Sequence, residues 1–188
     1  MPIILNIIND INNILILPKT LYIFDIDEVI LTFTHSNDIW WNEKRKNYLK
    51  LYYDIFMTEN MIYNEWINIM NTTKPVLLIN NFNDILNKIT ENNSNYIFLT
   101  ARKPFLKKLT ILHLQYCNIN IDDNKIFFDK EKGNKLLELF NNNINIYEYN
   151  NIIFIDDLIE NINNVNDKLS IYSNTHNILL YNFLYLHK

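Results

Sequence analysis

Five short apolar runs recur along the chain and predict the strands of a buried sheet. They are LYIF (21–24), YIFL (96–99), KIFF (125–128), IIFI (152–155) and NILLY (177–181). Within each run the hydrophobic residues mostly follow one another instead of alternating with polar ones. Continuous hydrophobicity is typical of strands covered on both faces, so the pattern favours a parallel sheet.

Helical patterns lie between these runs. A predicted helix near 81–91 has an apolar face made of Phe82, Ile85, Leu86 and Ile89. A second predicted helix, which Pro104 can begin, has an apolar face made of Phe105, Leu109 and Leu112. Strands that alternate with helices in this way predict an α/β fold.

The beginning of the chain has a different pattern. Aliphatic residues recur there at helical spacing, at Ile4, Ile7, Ile8, Ile11, Ile14 and Leu15. This spacing predicts a helix whose apolar face packs on the core, in preference to one that lies on a membrane surface. Because polar residues interrupt the segment and no basic residue precedes it, we expect neither a signal peptide nor a membrane span.

Composition narrows the class of protein. A chain of 188 residues, 48% of them hydrophobic, can bury one sizeable core, which predicts one domain with at most a small insertion. Its net charge of -4 argues against a general nucleic-acid binder, which needs surplus lysine and arginine. Cys117 is the single cysteine and has no internal disulfide partner, so we expect a reducing, cytoplasmic setting.

Polar residues suited to chemistry follow four of the predicted strands. They are Asp25 and Asp27 after the first run, Thr100 after the second, Lys132 in the loop after the third, and Asp156 and Asp157 after the fourth. Taken singly, Thr100 or Lys132 is more readily explained as a helix cap or a solvated side chain. Ligands of open α/β sheets bind beyond the carboxyl ends of the strands, so the joint pattern favours one shared pocket.

These stretches resemble, in order, the four motifs of the haloacid dehalogenase (HAD) superfamily, whose members are mostly phosphatases. They read FDIDEVIL around Asp25 and Asp27, LTAR at Thr100, KGNKL at Lys132, and IDDLIEN at Asp156 and Asp157. The first and fourth motifs are specific to the family, whereas the second and third support the resemblance only because they occur together with the other two. The stretches look most like a little-characterised HAD-like group known only as a domain of unknown function.

The resemblance implies a fold and a chemistry. The fold is a Rossmann-like three-layer sandwich with a central parallel sheet, and the activity is hydrolysis of a small phosphorylated substrate. Asp25 would attack phosphorus, and Asp27 would act as acid and base. Mg²⁺ would be bound by Asp25, the backbone carbonyl of Asp27, and one or both of Asp156 and Asp157.

The resemblance also assigns Thr100, Ala101 and Lys132 to the phosphoryl oxygens. Lys130 and Lys135 are near enough in sequence to compete for the lysine role. We prefer Lys132 because Gly133, the only glycine of the chain, follows it and would let the backbone turn tightly before a helix. A further acid, Glu28, is expected to be an outward-facing loop residue.

The segment between the first two motifs is longer than a crossover requires. We expect two or three helices over 33–72, resembling the cap that HAD enzymes insert after the first motif, on a core of 1–32 and 73–188. Aromatic residues of this segment either line a substrate entrance or, at least as readily, pack the cap; they are Trp40, Trp41, Tyr48, Tyr52 and Tyr53. Its basic residues are expected mainly on a solvated helix face, at Lys44, Arg45, Lys46 and Lys50.

Two alternatives to a phosphatase come from other functional classes. A HAD-like binding or scaffold protein that has lost turnover would keep the fold, although the full set of motif residues argues against it. A signalling receiver domain also combines an acidic pair, an acceptor aspartate, a threonine and a lysine. In a receiver the lysine comes last, whereas here Asp156 and Asp157 follow Lys132.

Overall fold

The computed structural model describes residues 3–34 and 38–184. Its centre is a sheet of six strands, all parallel, in the order β1-β8-β7-β2-β5-β6. The strands are β1 (Ile4–Ile8), β2 (Thr20–Phe24), β5 (Asn95–Thr100), β6 (Ile126–Phe128), β7 (Asn151–Asp156) and β8 (Asn177–Phe183). All five runs that the sequence predicts as strands form strands, which confirms the α/β fold with a central parallel sheet.

Helices cover both faces of the sheet and make three layers. The helices of the described ranges are α1 (Asp38–Tyr52), α2 (Ile55–Thr72), α3 (Phe82–Glu91), α4 (Lys107–Tyr116), α5 (Lys132–Asn142) and α6 (Ile159–Leu169). Helices α3 and α4 pack on one face of the sheet, and α5 and α6 pack on the other. Tyr22 and Phe24 belong to a core shared with α3 and α4, whereas Leu21 and Ile23 belong to a core shared with α5 and α6. Successive residues of β2 thus enter opposite cores, which explains its unbroken hydrophobicity.

The predicted N-terminal helix is wrong, because Ile4–Ile8 is an edge strand paired in parallel with β8. Isoleucine is β-branched and favours extended backbone. All five residues of this run pair with residues of β8. Ile11 and Ile14 are buried at a short 3-10 turn that follows the strand. The helical spacing of the isoleucines was therefore a coincidence of a strand and a turn. None of the helices within the described ranges is long and apolar enough to cross a membrane.

Two helices, α1 and α2, occupy the segment between β2 and β5 that the sequence predicts as a helical insertion. A small antiparallel sheet joins its two ends, pairing β3 (Leu31–Thr32) with β4 (Val76–Leu77). We call α1 and α2 the helical insertion. Its assignment to a separate cap domain over 33–72 stays a prediction. The described residues do not include 35–37, which fall within that range, nor the chain ends 1–2 and 185–188.

The aromatic side chains of the helical insertion pack largely against each other. The Trp41 ring meets Trp66 edge to face with 6.2 Å between ring centres, and the Tyr48 hydroxyl donates to Glu65 across the two helices. Tyr53 is 90% exposed, at the link between α1 and α2. Packing within the insertion therefore accounts for Trp41 and Tyr48, and it does not account for Tyr53.

Two of the four basic residues predicted on a solvated face are ion-paired across the helical insertion. Lys44 Nζ lies 2.6 Å from Glu65, and Arg45 Nε donates to Glu59 at 2.6 Å. These side chains remain about a third or more exposed, so each pair contributes no more than about 1 kcal/mol. Their positive charges are already balanced by acids of α2.

Gly133 lies inside α5, not at a tight turn before it as the sequence suggested. A Cβ atom on Gly133 would lie 2.6 Å from the backbone oxygen of Asn164 and 2.7 Å from Lys168 Cγ, both on α6. The Gly133 N–H also donates to Asn164 Oδ1 at 2.7 Å. The glycine is needed because α5 and α6 approach so closely.

Gly133→Ala is therefore expected to destabilise the fold. The added methyl group must displace backbone, which typically costs about 1–3 kcal/mol of unfolding free energy. Urea unfolding followed by circular dichroism would measure this loss. The matched control is Asn134→Ala at the next, exposed position of α5, where alanine should stabilise slightly because it is the better helix former. Equal midpoints for Gly133→Ala and the wild type would contradict the close-contact argument.

Candidate active site

Asp25 follows the central strand β2, between its two neighbours in the sheet. Phe24 pairs with Ile155 of β7 on one side and Phe98 of β5 on the other. The Asp25 N–H donates to the Ile155 carbonyl at 2.9 Å, which sets Asp25 level with Asp156. The connection from β2 leads to β5 on one side and the connection from β7 leads to β8 on the other, and such switch points are where open α/β sheets bind ligands.

Lys132 lies between two carboxylates, one directly after β2 and the other at the end of β7. Its Nζ lies 2.6 Å from Asp156 Oδ2 and 2.8 Å from Asp25 Oδ1, and the lysine side chain is fully buried. The two competing lysines are elsewhere, since Lys130 is exposed and Lys135 pairs with Glu138 on the surface. The structure thus brings together Asp25, Lys132 and Asp156, as their positions after strands predicted.

The electrostatics of this group are dominated by burial. Burial raises the pKa of Asp25 to about 7, with Lys132 opposing the rise and Asp156 and Asp27 adding to it. Burial alone would lower the pKa of Lys132, but the carboxylates of Asp156 and Asp25 outweigh it and hold that pKa above its ordinary value. Lys132 therefore stays charged, and Asp25 can exist in either form near neutral pH.

Asp156 is held rigidly by the start of α6. Its Oδ1 accepts hydrogen bonds from the Leu158 N–H and from Asn161 Nδ2, both at 2.9 Å, while Oδ2 accepts from Lys132. Asp156 is completely buried. Such contacts fix the orientation of a carboxylate that faces Asp25, so little reorganisation is needed when a ligand arrives.

Three carboxylates form a candidate metal centre. Oxygen atoms of Asp25, Asp156 and Asp157 all lie within 4.8 Å of one another. Asp25 Oδ1 is buried and has no aligned hydrogen-bond donor, although Lys132 Nζ is within ion-pair distance. Hard carboxylate oxygens are the ligands that Mg²⁺ prefers, so this donor set fits the predicted metal. The Asp27 carboxylate is not part of the group, and its carbonyl as a ligand stays a prediction.

Thr100 and Ala101 lie at the end of the neighbouring strand. Thr100 is the last residue of β5 and is buried, and its Oγ1 accepts from the Arg102 N–H at 3.2 Å. The Thr100 carbonyl accepts from the Asp129 N–H at 2.9 Å, which ties β5 to the loop that leads to Lys132. Ala101 is exposed. A hydroxyl that accepts one bond still has its proton to donate to a ligand oxygen.

Asp27 points to a different cation from Asp25. Arg102 Nε donates to Asp27 Oδ2 at 2.8 Å, and Nη2 donates to Oδ1 at 2.6 Å, so the pair is bidentate. The arginine side chain is fully buried, whereas that of Asp27 is 25% exposed. A fork of this kind fixes the plane of a carboxylate as well as its position.

A tight turn separates the two aspartates from the helical insertion. The Ile26 carbonyl accepts from the N–H groups of both Ile30 and Leu31, and Glu28 adopts a left-handed conformation with φ of 56°. Glu28 is half-buried and accepts a hydrogen bond from the Thr32 hydroxyl. The expectation of an outward-facing loop residue is wrong, because this turn folds the Glu28 side chain back along β3.

Arg102 is the residue that the sequence argument missed. It is the last residue of the second stretch, LTAR, and the resemblance assigns no role to it. The available signal was a charged residue two positions beyond a strand that ends in the predicted site. An arginine there is more often a solvated side chain, and only the fold brings Asp27 to it.

Comparison with known proteins gives a family and no activity. A family model described as a protein of unknown function, DUF2608, matches residues 4–129. The match includes Asp25, Asp27 and Thr100 and ends before Lys132. No curated protein and no solved structure matches the chain.

Lys132→Met is expected to destabilise the metal-free protein strongly. It would leave two buried carboxylates without their cation, and breaking a buried ion pair in this way costs about 3–5 kcal/mol. The control is Lys135→Met in the same helix, which breaks a surface pair worth at most about 1 kcal/mol. Urea unfolding at neutral pH compares the two, and similar losses for both variants would refute the central role of Lys132.

Proposed function

The chain belongs to the DUF2608 family, whose function is unknown, and we propose that it is a Mg²⁺-dependent phosphohydrolase of the HAD type. Its substrate class is a small phosphate monoester. One observation carries the proposal: Lys132 lies between Asp25 and Asp156 at the carboxyl ends of neighbouring strands, with Asp157 beside them. The residues proposed as nucleophile, as cation for the phosphoryl oxygens and as metal ligands thus lie close together.

Asp25 is the proposed nucleophile. One of its oxygens attacks phosphorus, and the bond from phosphorus to the ester oxygen breaks, with the electron pair leaving on that oxygen. The leaving oxygen takes a proton from Asp27, so the products are an alcohol and an aspartyl-phosphate. The Lys132 ammonium, 2.8 Å from Asp25, favours the ionised carboxylate that this attack requires.

Water completes the reaction. Asp27 removes a proton from a water molecule as its oxygen attacks the phosphorus of the aspartyl-phosphate, and the bond from phosphorus to the Asp25 oxygen breaks. Inorganic phosphate leaves, and Asp25 is again a carboxylate. A covalent intermediate divides one difficult step into two easier ones. This helps because uncatalysed hydrolysis of phosphate monoesters is so slow that enzymes accelerate it by up to ~10²¹.

The remaining groups hold the phosphoryl oxygens. Lys132 supplies a fixed positive charge, the Thr100 hydroxyl has a proton to donate, and the exposed backbone at Ala101 lies next to it. Asp25, Asp156 and Asp157 would hold the Mg²⁺ ion. When bound, it offsets the repulsion between these carboxylates and the phosphate and stabilises the charge that develops in the transition state.

Mg²⁺ is expected to raise the melting temperature of the wild type, because it binds the native carboxylate cluster and not the unfolded chain. Saturation at one hundred times the dissociation constant adds about 2.7 kcal/mol. Asp157→Asn should reduce this shift, whereas Asp167→Asn, an exposed position at the other end of α6, should keep it. Thermal melts with and without Mg²⁺ measure the effect. A wild type that shows no shift, and turns over equally with a chelator present, would refute the metal site.

The roles of the two aspartates can be separated with an aryl phosphate, whose leaving group needs no protonation. Asp25→Asn is expected to be inactive on every substrate because the attacking carboxylate is gone. Asp27→Asn should still form the aspartyl-phosphate and stall at its hydrolysis. Quenched reactions analysed by intact-protein and peptide mass spectrometry would locate the phosphate.

Two outcomes would overturn these assignments. One is equal loss of the phosphorylated intermediate in both variants, which would give Asp27 an essential part in the first step. The other is phosphate trapped on a residue other than Asp25. A wild type that hydrolyses none of a broad set of phosphate monoesters with Mg²⁺ would favour the alternative of a binding protein.

A further inference from the structure

The guanidinium of Arg102 makes contacts along its whole edge. Besides its two bonds to Asp27, Nη1 lies 3.2 Å from Thr110 Oγ1 and 3.2 Å from His113 Nδ1. Both partners are buried residues of α4. Each contact restricts the rotation of the guanidinium plane, and that plane in turn restricts the carboxylate of Asp27.

His113 connects Arg102 to the helical insertion. Burial, with a smaller contribution from Arg102, lowers the pKa of His113 to about 4, so the imidazole is neutral at physiological pH. Nδ1 faces a guanidinium, which can only donate, so Nδ1 must accept and the proton must be on Nε2. The Nε2 proton is then donated to the Met70 carbonyl of α2 at 3.0 Å.

Aromatic rings enclose the guanidinium. Its Cζ lies 5.9 Å from the ring centre of Phe33 and 5.8 Å from that of Trp66, within cation–π distance. Trp66 belongs to α2, like Met70. Helix α2 thus touches Arg102 directly through a ring and indirectly through His113.

Two ordinary roles for a buried arginine fit poorly. A clamp for substrate phosphate needs an N–H group left to donate. The Nε and Nη2 groups of Arg102 are bonded to Asp27, while Nη1 faces Thr110 and His113. The Lys132 ammonium, in contrast, has three donors for two carboxylates. A purely structural ion pair needs neither partner to reach a ligand, yet the Asp27 side chain stays 25% exposed. The exposed partner is the proposed acid and base.

We propose that Arg102 is a positioning residue that fixes the Asp27 carboxylate for proton transfer, and that helix α2 sets its position through Trp66 and His113. This inference rests on the proposed function of the site. Proton transfer depends strongly on geometry, and a displacement of 1 Å can cost about 10²-fold in rate. Docking of the helical insertion is thereby linked to the step that Asp27 performs.

The test compares Arg102→Lys and Arg102→Met with the wild type on an aryl phosphate in Mg²⁺. Lysine keeps the charge but cannot form the fork, and methionine loses both. We expect kcat to fall about 10- to 100-fold for lysine, and further for methionine, with kcat/KM within about threefold of the wild type, because slower hydrolysis of the intermediate lowers kcat and KM together. Hydrolysis of the aspartyl-phosphate should slow more than its formation, because only hydrolysis needs Asp27 with this substrate.

A remote variant and a charge control complete the design. Trp66→Leu removes the ring that contacts Arg102 and leaves the arginine in place, so it should lower kcat in the same pattern by a smaller factor. Lys103→Met removes the neighbouring cation, which is exposed and stacks on Tyr63 with Nζ 4.5 Å from the ring centre. It should stay within about twofold of the wild type.

The outcomes separate the inference from the proposed function. A wild type that forms the aspartyl-phosphate, together with Arg102→Lys and Trp66→Leu that keep full kcat, refutes positioning and leaves the phosphohydrolase standing. A rise in KM with kcat unchanged would make Arg102 a substrate clamp and would also refute positioning. A wild type without turnover refutes both proposals. If melting shows that Arg102→Met does not fold, Arg102→Lys and Trp66→Leu decide the question.

Discussion

A buried ammonium between two buried carboxylates is the contact on which the rest of the site depends. Taking a single charge out of water costs several kcal/mol, so Lys132 can be buried only because Asp25 and Asp156 lie within 2.8 Å of it. The dependence is mutual, since burial already raises the pKa of Asp25 to about 7 with the lysine present. Helix α5 must therefore reach the ends of strands β2 and β7. Otherwise the buried charges of Lys132, Asp25 and Asp156 would have no partner of opposite sign.

The packing of α5 on α6 provides that meeting point. Gly133, directly after Lys132, lets the two helices approach until its N–H bonds Asn164 Oδ1 at 2.7 Å. One turn earlier on α6, Asn161 holds the carboxylate of Asp156. The same helix pair thus places the lysine and orients its partner, which explains why the chain has its glycine here although the backbone conformation does not require one.

Local patterns in the sequence predict elements that depend on neighbouring residues, but they do not reveal contacts between residues far apart in the chain. The strand at 152–155 and the acids after it are readable because continuous hydrophobicity and chain order persist in the fold. The N-terminal strand has the spacing of a helix, and its partner β8 lies near the other end of the sequence, so no local pattern indicates the pairing. The role of Arg102 is not visible in the sequence for the same reason, because its ion-pair partner Asp27 is 75 positions away.

The spacing of Asp25 and Asp27 poses a problem that the fold solves with two different cations. With only Ile26 between them, the two carboxylates would repel each other if they faced the same way. The turn at Ile26 instead directs Asp25 to Lys132 and Asp27 to Arg102. Lys132 comes from α5 and Arg102 from the end of β5, so the two carboxylates have separate supports. Separate supports give the two carboxylates different surroundings: one is buried beside a point charge, and the other is held by a rigid fork and stays 25% exposed.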